Sequence, residues 1–293
     1  MKRLSVIIVT YNSEKHIYSC LDSLFRYNDI GDSLEVIIVD NCSLNYCQME
    51  DQICIKYDNK IKLIQNTNNG GYGQGNNIGL KEASAPIVLI MNPDVRLVMP
   101  IFSKVLMAFD QCRDITLYGI KQLGTDMTPA KSLGWITRSC AYIAEPVRYI
   151  LNKLDIYYQK KMYFNGSCFF VRKQSFEEIG FFDENIFMYN EEEDIHYRFH
   201  KYKKGLFIYN PDLYCQHLHP RINNFALEDY SYLENSLVSL LYIDSRDGIP
   251  SKTTIRRAIQ RTNISIMRSL TNRNRRTYYI RWKSRLKHYL NNL

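Results

Sequence analysis

Four short runs of this chain concentrate residue types that can do chemistry. Met91-Asn92-Pro93-Asp94 closes an apolar run. A carboxylate at the end of a buried strand can hold Mg²⁺ or Mn²⁺, hard cations that take oxygen ligands and bridge phosphates. Glu191-Glu192-Glu193-Asp194 places four acids in a row, with His196 and Arg198 just beyond. Like charges repel, so something must reward keeping them together. On a helix, positions 191, 194 and 198 share one face, and Asp194 can pair with Arg198 at i, i+4. That leaves Glu191 or Glu192 to face a cleft, where a carboxylate can take a proton from a hydroxyl as general base. Asn69-Gly70-Gly71-Tyr72-Gly73-Gln74-Gly75-Asn76-Asn77-Ile78-Gly79 is glycine-rich, which lets a backbone pass tightly against a ligand and expose N–H groups at a helix start. His217, flanked by His219, stands at the end of a strand-like run and can ligate a metal or serve as a satisfied surface residue. Each run also has a plain structural use: an unoccupied loop, a turn, a solvated acidic helix start.

These residues need elements to position them. Leu4–Val9 is a continuous, largely β-branched run, the pattern of a strand buried on both faces. Ser13 to Tyr27 reads as a helix, capped by Ser13, with Ile17, Cys20, Leu21 and Leu24 as its apolar stripe. Leu34–Val39, Ile61–Ile64 and Pro86–Met91 read as further strands, with helices at about Gly75–Ala83 and Pro100–Cys112. This alternation predicts a parallel, doubly wound α/β sheet. In such sheets ligands bind beyond the carboxyl ends of the strands, where Thr10, Tyr11, Asn12, Asp40, Asn41, Asn92 and Asp94 cluster. Thr116–Tyr158 carries no pattern that orders its elements. Phe164–Val171 reads as one strand, Gln174–Ile179 as a short helix and Glu191–Tyr202 as a helix with acids at its start. Leu206–Tyr209 and Leu213–Gln216 read as short strands, and helices follow from Leu227.

The ordered set of motifs resembles the family-2 glycosyltransferases of the GT-A fold, most closely the bacterial rhamnosyltransferase-like branch that builds cell-surface polysaccharide. Val6-Ile7-Ile8-Val9-Thr10-Tyr11-Asn12 looks like that family's first strand and base-binding turn, and Val39-Asp40-Asn41-Cys42-Ser43 like its second. The Asn69–Gly79 run matches the branch pattern N-x-G-[FY]-G-x-G-x-N-x-G. Asn92-Pro93-Asp94 stands where the family has its Asp-x-Asp metal motif. Gly180-Phe181-Phe182-Asp183-Glu184 and Phe187-Met188-Tyr189-Asn190-Glu191-Glu192-Glu193-Asp194, completed by Arg198, resemble two downstream segments. The resemblance covers residues 4–220. It implies a GT-A domain at 1–220, a Rossmann-like, mostly parallel sheet with helices on both faces, and a C-terminal helical extension at 221–293 with a basic amphipathic tail.

The resemblance also implies roles. Thr10, Tyr11 and Asp40 would hold the nucleobase and ribose of a nucleotide-sugar. Asn12, Asn41, Asn69, Gly71, Tyr72, Asn77 and Asn92 would line the same donor site. Asp94 would bind Mg²⁺ or Mn²⁺ on the donor diphosphate, with His217 completing the metal shell. Glu192 would be the base, with Glu191 as the alternative, and Asp194 and Arg198 would brace it. The implied reaction is an inverting transfer of a rhamnosyl or hexosyl group, from a dTDP-rhamnose-like or UDP-hexose donor to a hydroxyl of a cell-surface polysaccharide or lipid-linked glycan. Rival readings are a nucleotidyltransferase, a scaffold that binds nucleotide-sugar without turnover, and a nucleic-acid-associated protein.

Composition sharpens the choice among partners. Of the 293 residues, 251–293 hold 12 Lys and Arg and no acid, while the other 250 hold 26 basic and 30 acidic side chains. The positive excess is therefore one C-terminal segment that asks for an acidic partner. Tyr279, Trp282, Leu286, Tyr289 and Leu290 recur there at helical spacing among Arg281, Lys283, Arg285 and Lys287, the pattern of an interfacial helix on anionic lipid or of a helix packed on the body with a solvated basic face. No nucleic-acid motif accompanies the basic segment. No run approaches the length of a spanning helix, so the expectation is a cytosolic protein, peripheral on the inner face of the cytoplasmic membrane. The eight cysteines, Cys20, Cys42, Cys47, Cys54, Cys112, Cys140, Cys168 and Cys215, show no CxxC pair and read as free, buried thiols.

Overall fold

The first strand, β1 (Leu4–Thr10), is buried along almost its whole length, as its run of Val and Ile requires. The computed structural model describes residues 1–58, 60–136, 141–202, 205–218 and 229–293, with backbone alone for 141–145. From β1 the chain continues through α1 (Glu14–Arg26), a 3₁₀ turn (Gly31–Ser33), β2 (Leu34–Asp40), α2 (Tyr46–Tyr57), β3 (Ile61–Gln65), α3 (Gly71–Glu82), β4 (Ile87–Met91), β5 (Val95–Leu97) and α4 (Phe102–Gln111). It goes on through β6 (Ile115–Leu123), β7 (Leu133–Trp135), α5 (Ala141–Lys153), β8 (Met162–Phe164), β9 (Cys168–Arg172), α6 (Lys173–Glu178), α7 (Glu191–Lys201) and β10 (Leu206–His217). Three helices close the chain: α8 (Ser231–Arg246), α9 (Ser251–Met267) and α10 (Arg273–Asn291).

Eight strands form one sheet in the order β3-β2-β1-β4-β9-β6-β10-β5. β1 pairs in parallel with both β2 and β4, and β2 with β3, so the chain reverses its direction of growth between β1 and β4. That reversal opens a crevice at the carboxyl ends of β1, β2 and β4. Beyond it the sheet turns mixed: β9 lies antiparallel between β4 and β6, β10 runs parallel to β6, and β5 closes the edge antiparallel to β10. Alternate side chains of the central strands serve opposite faces, as a pleated strand dictates. Val6, Ile8, Val36 and Ile38 pack with α1, α2 and α4, whereas Ile7, Ile37, Val88 and Ile90 pack with α3, α6 and α7.

The predicted α/β class with helices on both faces holds, and several local expectations change. The helix predicted from Gly75 begins at Gly71, so the glycine run is the first turns of α3 rather than an open loop. A Cβ at Gly79 would lie 2.5 Å from Ile7 Cγ2, and one at Gly75 2.7 Å from Val9 Cγ1. Those glycines let α3 sit close on β1. The single strand predicted at 164–171 is two, β8 and β9, because Asn165-Gly166-Ser167 turns the chain between them. The two strands predicted at 206–216 are one, β10, with a register shift between Asn210 and Tyr214. Ser13 precedes α1, yet its hydroxyl donates to the Tyr11 carbonyl at 3.1 Å instead of capping the helix. The unordered middle resolves into β6, β7 and α5.

The cysteine expectation holds in part. The seven described thiols are free, but Cys42, Cys47 and Cys54 are exposed; Cys140 lies outside the described residues. The boundary at 220/221, His219 and the predicted helix start at Leu227 also lie outside them.

The C-terminal helices have their own apolar cluster of Tyr230, Leu237, Ile255, Tyr278, Trp282 and Leu286. Of the tail's aromatic face, Trp282 and Leu286 are buried, Tyr279 and Leu290 pack partly against the cluster, and Tyr289 stays exposed. Tyr230 stacks on Tyr278 at 4.6 Å and on Trp282 at 5.8 Å between ring centroids. Among the described residues no helix is long and apolar enough to cross a membrane.

Candidate active site

The crevice at the β1/β4 reversal is built from side chains that bond to one another. Thr10 Oγ1 donates to Asp40 Oδ1 at 2.9 Å across paired strand ends. Ser43 adds its backbone N–H to Asp40 Oδ2 at 2.8 Å and its hydroxyl to Oδ1 at 2.5 Å. Thr10 and Asp40 have no exposed surface, so both hold the walls together from behind. Ser43 Oγ also accepts from the Asn12 N–H at 2.8 Å, and Asn12 Oδ1 accepts from the Leu44 N–H at 3.0 Å. These bonds fasten the two strand-end turns to each other. Asn12 itself holds φ +48°, a left-handed conformation that asparagine tolerates. What remains open above this frame is the half-exposed Tyr11 ring and Asn12.

Asn41 carries the frame to α3. Its Nδ2 donates to the Gly71 carbonyl at 2.8 Å, and its Oδ1 accepts from Asn66 at 3.2 Å. Asn69 Oδ1 accepts the Gly71 N–H at 3.1 Å. Gly71 has φ +85°, and a Cβ there would lie 2.1 Å from the Phe187 carbonyl oxygen, so only glycine fits. Tyr72 N–H donates to that same carbonyl at 3.1 Å. Asn77 is drawn away from the crevice: its amide is taken up by the Phe182 backbone on both sides and by Glu184 at 2.9 Å.

Asp94 follows β4 in a tight turn. The Arg96 guanidinium, almost fully buried, donates to the Pro93 and Val95 carbonyls at 2.8 and 2.7 Å and to the His16 carbonyl at 2.8 Å. The antiparallel pairing of β5 and β10 sets His217 opposite Val95, next to Asp94. His217 Nε2 stands 3.3 Å from Asp94 Oδ2. Two ligands at right angles around an ion with bonds of about 2.1 Å stand about 3 Å apart, so this pair suits neighbouring positions around one divalent cation. Among the described residues no group of three or more His, Cys, Asp or Glu side chains could hold an ion alone. One carboxylate and one imidazole leave the other positions to diphosphate oxygens and water, the usual manner for Mg²⁺ and Mn²⁺.

The acidic run forms the first turn of α7, where the helix dipole favours negative charge. Asn165-Gly166-Ser167 joins it to the crevice. The Asn92 N–H donates to the Ser167 carbonyl at 2.8 Å, and Tyr72 OH donates to the Gly166 carbonyl at 2.6 Å. A Cβ on Gly166 would lie 3.5 Å from Glu192 Cδ. The metal-side turn, the start of α3 and the candidate base thus meet at one tripeptide.

Burial raises the Glu192 carboxyl above its ordinary value; the Lys131 charge and hydrogen bonding from the Gly166 backbone pull it back. Glu191 is more deeply buried and is pushed up to about 8, by burial first and then by the charge on Glu192. Near neutrality Glu191 keeps its proton, and Glu192 binds its own more tightly than an ordinary carboxyl does. Glu191 Oε1 finds no hydrogen-bond partner among the described residues. Tyr72, beside this pair, is pushed well above its usual range by burial and then by the two glutamate charges.

Asp194 is the anchor of the helix. Arg198 Nε donates to one of its oxygens at 2.7 Å and Arg246 to the other at 2.7 Å, with Asp194 almost wholly buried. Arg198 also reaches the Ile179 carbonyl, and Arg246 reaches Asp183 at 3.0 Å. His196 accepts the Phe164 N–H at Nε2 (3.1 Å), which leaves Nδ1 to donate to the Glu192 carbonyl at 2.8 Å. Burial pushes His196 down to about 3, so it stays neutral and pins α7 to β8. Before the helix, Tyr189 and Asn190 both take left-handed backbone, φ +70° and +71°. For a tyrosine this costs on the order of 1 kcal/mol or more, and the surroundings must enforce it. α8 does so: Asn190 Nδ2 donates to the Ser236 carbonyl at 3.1 Å, and Ser239 donates to the Met188 carbonyl at 2.9 Å.

The structure thus ties Tyr72, Asn92 and Glu192 to one turn, sets His217 beside Asp94, joins Asn69 and Gly71 to the strand-end frame through Asn41, and leaves Tyr11 and Asn12 open at the strand ends. It sets Thr10, Asp40, Asn41, Asp194 and Arg198 behind it, and turns Asn77 elsewhere. Sequence reasoning missed Ser43, Arg96, Gly166 and Arg246. Only the Asn-Gly pair at 165–166 carried a readable signal, that of a turn.

The comparisons with known proteins agree with this construction. The model of glycosyl transferase family 2 matches residues 5–180. The poly(ribitol-phosphate) beta-N-acetylglucosaminyltransferase TarS of Staphylococcus aureus is 40% identical over 97 residues, 32% of this chain but only 16% of TarS. The low-salt glycan biosynthesis hexosyltransferase Agl10 of Haloferax volcanii is 29% identical over 205 residues, 67% of this chain and 61% of that one. This chain therefore spans less than two thirds of the length of either relative. The crystal structure of GalNAc-T7 with UDP, GalNAc and Mn²⁺ superposes with a TM-score of 0.62 over 86% of this chain and 52% of that one, at 14% identity. TarS 1–349 in complex with UDP-GlcNAc gives 0.55 over 96% and 92%, at 17% identity. At such identities the likeness is one of fold. With the family's match extending over more than half of its residues, and with the motifs in that span folded around one crevice, the chain belongs to glycosyl transferase family 2.

Proposed function

We propose that the chain transfers a hexose or N-acetylhexosamine from a UDP-linked donor to a hydroxyl of a cell-surface glycan or polyol-phosphate polymer, with inversion at the anomeric carbon. The observation that carries this reading is the Asn165–Ser167 turn, which bonds to the Asn92 side of the metal turn and lies against Glu192. A leaving-group site and a base on opposite sides of one cleft are what a single in-line displacement needs.

Tyr11 offers a flat, half-exposed ring for a base to stack on, and Asn12 and Asn69 offer amides to the nucleoside. Asp94 and His217 would hold a divalent ion, and such an ion would supply positive charge to offset the negative charge growing on the departing diphosphate. Glu192 takes the proton from the acceptor hydroxyl as its oxygen attacks the anomeric carbon. Its raised affinity for protons brings it closer to working pH than an ordinary carboxylate. Glu191, protonated beside it, keeps a second negative charge out of the cleft. Asp194, Arg198, Arg246 and His196 keep the helix start in place.

The relatives' names favour the donor class. TarS is named for N-acetylglucosaminyl transfer and Agl10 for hexosyl transfer, so a UDP-hexose or UDP-N-acetylhexosamine is proposed over the dTDP-rhamnose-like donor that the sequence resemblance implied. The test is calorimetric binding of UDP-GlcNAc, UDP-glucose, UDP-galactose, GDP-mannose and dTDP-rhamnose, each with Mn²⁺ and with EDTA. One UDP-sugar binding best, and only with metal, is the expected result. Absence of binding to all five would overturn the reading.

A further inference from the structure

The helical cluster takes up Trp282 and Leu286 of the basic C-terminal segment and leaves Tyr289 partly exposed, so its fullest apolar exposure lies elsewhere. The turn between α9 and α10 carries it. Met267 and Leu270 are 64% and 66% exposed there, large apolar side chains at the tip of a helical hairpin. Around them Arg268, Arg273, Arg275 and Arg276 are all exposed. Arg273, Arg275 and Arg276 fill the start of α10, with no acid in its first turn. That is the positive end of the helix dipole, where cations are destabilising. Arg275 lies over the Tyr279 ring at 5.9 Å, but three arginines at this end of a helix oppose its dipole, so helix stability is a poor account of the cluster. Two exposed apolar side chains in the middle of that charge weaken solubility as well.

One partner rewards both features together. We infer that the α9–α10 hairpin tip docks on an anionic lipid bilayer, with Met267 and Leu270 entering the headgroup boundary and the arginines resting on acidic headgroups. Charge complementarity selects the anionic surface, and the apolar pair selects a bilayer over a dissolved polyanion, which offers nothing for methionine and leucine to enter. The inference does not depend on the transfer reaction or on the choice of donor.

The experiment is co-sedimentation of the full chain with vesicles of 3:1 phosphatidylcholine:phosphatidylglycerol and of phosphatidylcholine alone, at physiological salt. Two double variants accompany the wild type: Arg273→Ala with Arg276→Ala, and Met267→Ser with Leu270→Ser. Binding to the anionic vesicles should fall about 30-fold in the arginine variant, at roughly five- to sixfold per charge. It should fall about tenfold in the apolar variant. The arginine variant should melt no lower than the wild type, since it relieves repulsion at the helix start. No binding to anionic vesicles, or equal binding by all three proteins, would overturn the inference. So would binding to long-chain polyphosphate or duplex DNA in the absence of vesicle binding, lost in the arginine variant and kept in the apolar one.

Discussion

The two halves of the cleft are held by opposite means. On the nucleotide side, Thr10, Asp40, Ser43, Asn12 and Asn41 satisfy one another, and the strand-end turns are fixed by short hydrogen bonds between strand neighbours. On the base side, Glu191 and Glu192 are buried side by side with raised proton affinities, behind two left-handed residues, and are kept in place from outside by Arg246, Ser236 and Ser239. The first half is preorganised to bind and the second is held under tension to react. Binding sites can be relaxed. A base needs an environment that its charge dislikes, and distant parts of the chain must enforce it.

Substitutions can break or sharpen that contrast. Glu192→Gln keeps the shape and removes the base, so turnover should fall about 10²- to 10⁴-fold with donor affinity unchanged. Asp94→Ala acts on the other half: metal-dependent donor affinity and turnover should both drop, on the order of 100-fold, and added Mn²⁺ should recover part of the loss. Arg246→Ala leaves buried Asp194 with one cationic partner in place of two and frees Asp183 from one of its bonds. Denaturant unfolding should show a loss of about 1–3 kcal/mol, with turnover affected more than donor binding.

Glu191→Gln should act on stability through pH. The folded-state value of Glu191, about 8, exceeds its ordinary 4.5. Its contribution is therefore complete below pH 4.5 and is lost as pH rises through 8. The glutamine cannot ionise, so the variant's Tm should exceed that of wild type at pH 9, and the gap should close toward pH 4.5. The smallest effect belongs to Ser43→Ala on the relaxed side: about 1 kcal/mol of stability, from a hydroxyl lost to both Asp40 and the Asn12 N–H, and a modest weakening of donor binding.

The same contrast decided what could be read from sequence. β1, β2 and β4 are continuous apolar runs ending in polar residues, so strand, direction and the place of Thr10, Asp40 and Asp94 were legible from local pattern. The base side is assembled over long range. β9 enters the sheet antiparallel between strands that come much earlier in the chain, and nothing in Cys168–Arg172 announces its neighbours. Arg246 lies 52 residues from the carboxylate it braces. The acidic run could be seen as a helix start, yet how tightly each acid holds its proton depends on depth, and depth comes from packing. Within the glycine run, Gly75 and Gly79 pack against Val9 and Ile7, a helix–sheet contact that sequence alone does not separate from a ligand loop. In the tail, a face of Tyr279, Trp282 and Leu286 reads the same in sequence whether it meets lipid or packs on other helices.

The most direct test of the division between a binding half and a reacting half is one paired measurement: donor Kd by calorimetry and turnover by UDP release, for wild type, Glu192→Gln and Asp94→Ala in Mn²⁺. The account predicts that Glu192→Gln binds the donor as wild type does and turns over at least about 100-fold more slowly, while Asp94→Ala loses both. Wild-type turnover in Glu192→Gln, or donor binding in Asp94→Ala that is as tight and as metal-dependent as in wild type, would contradict it.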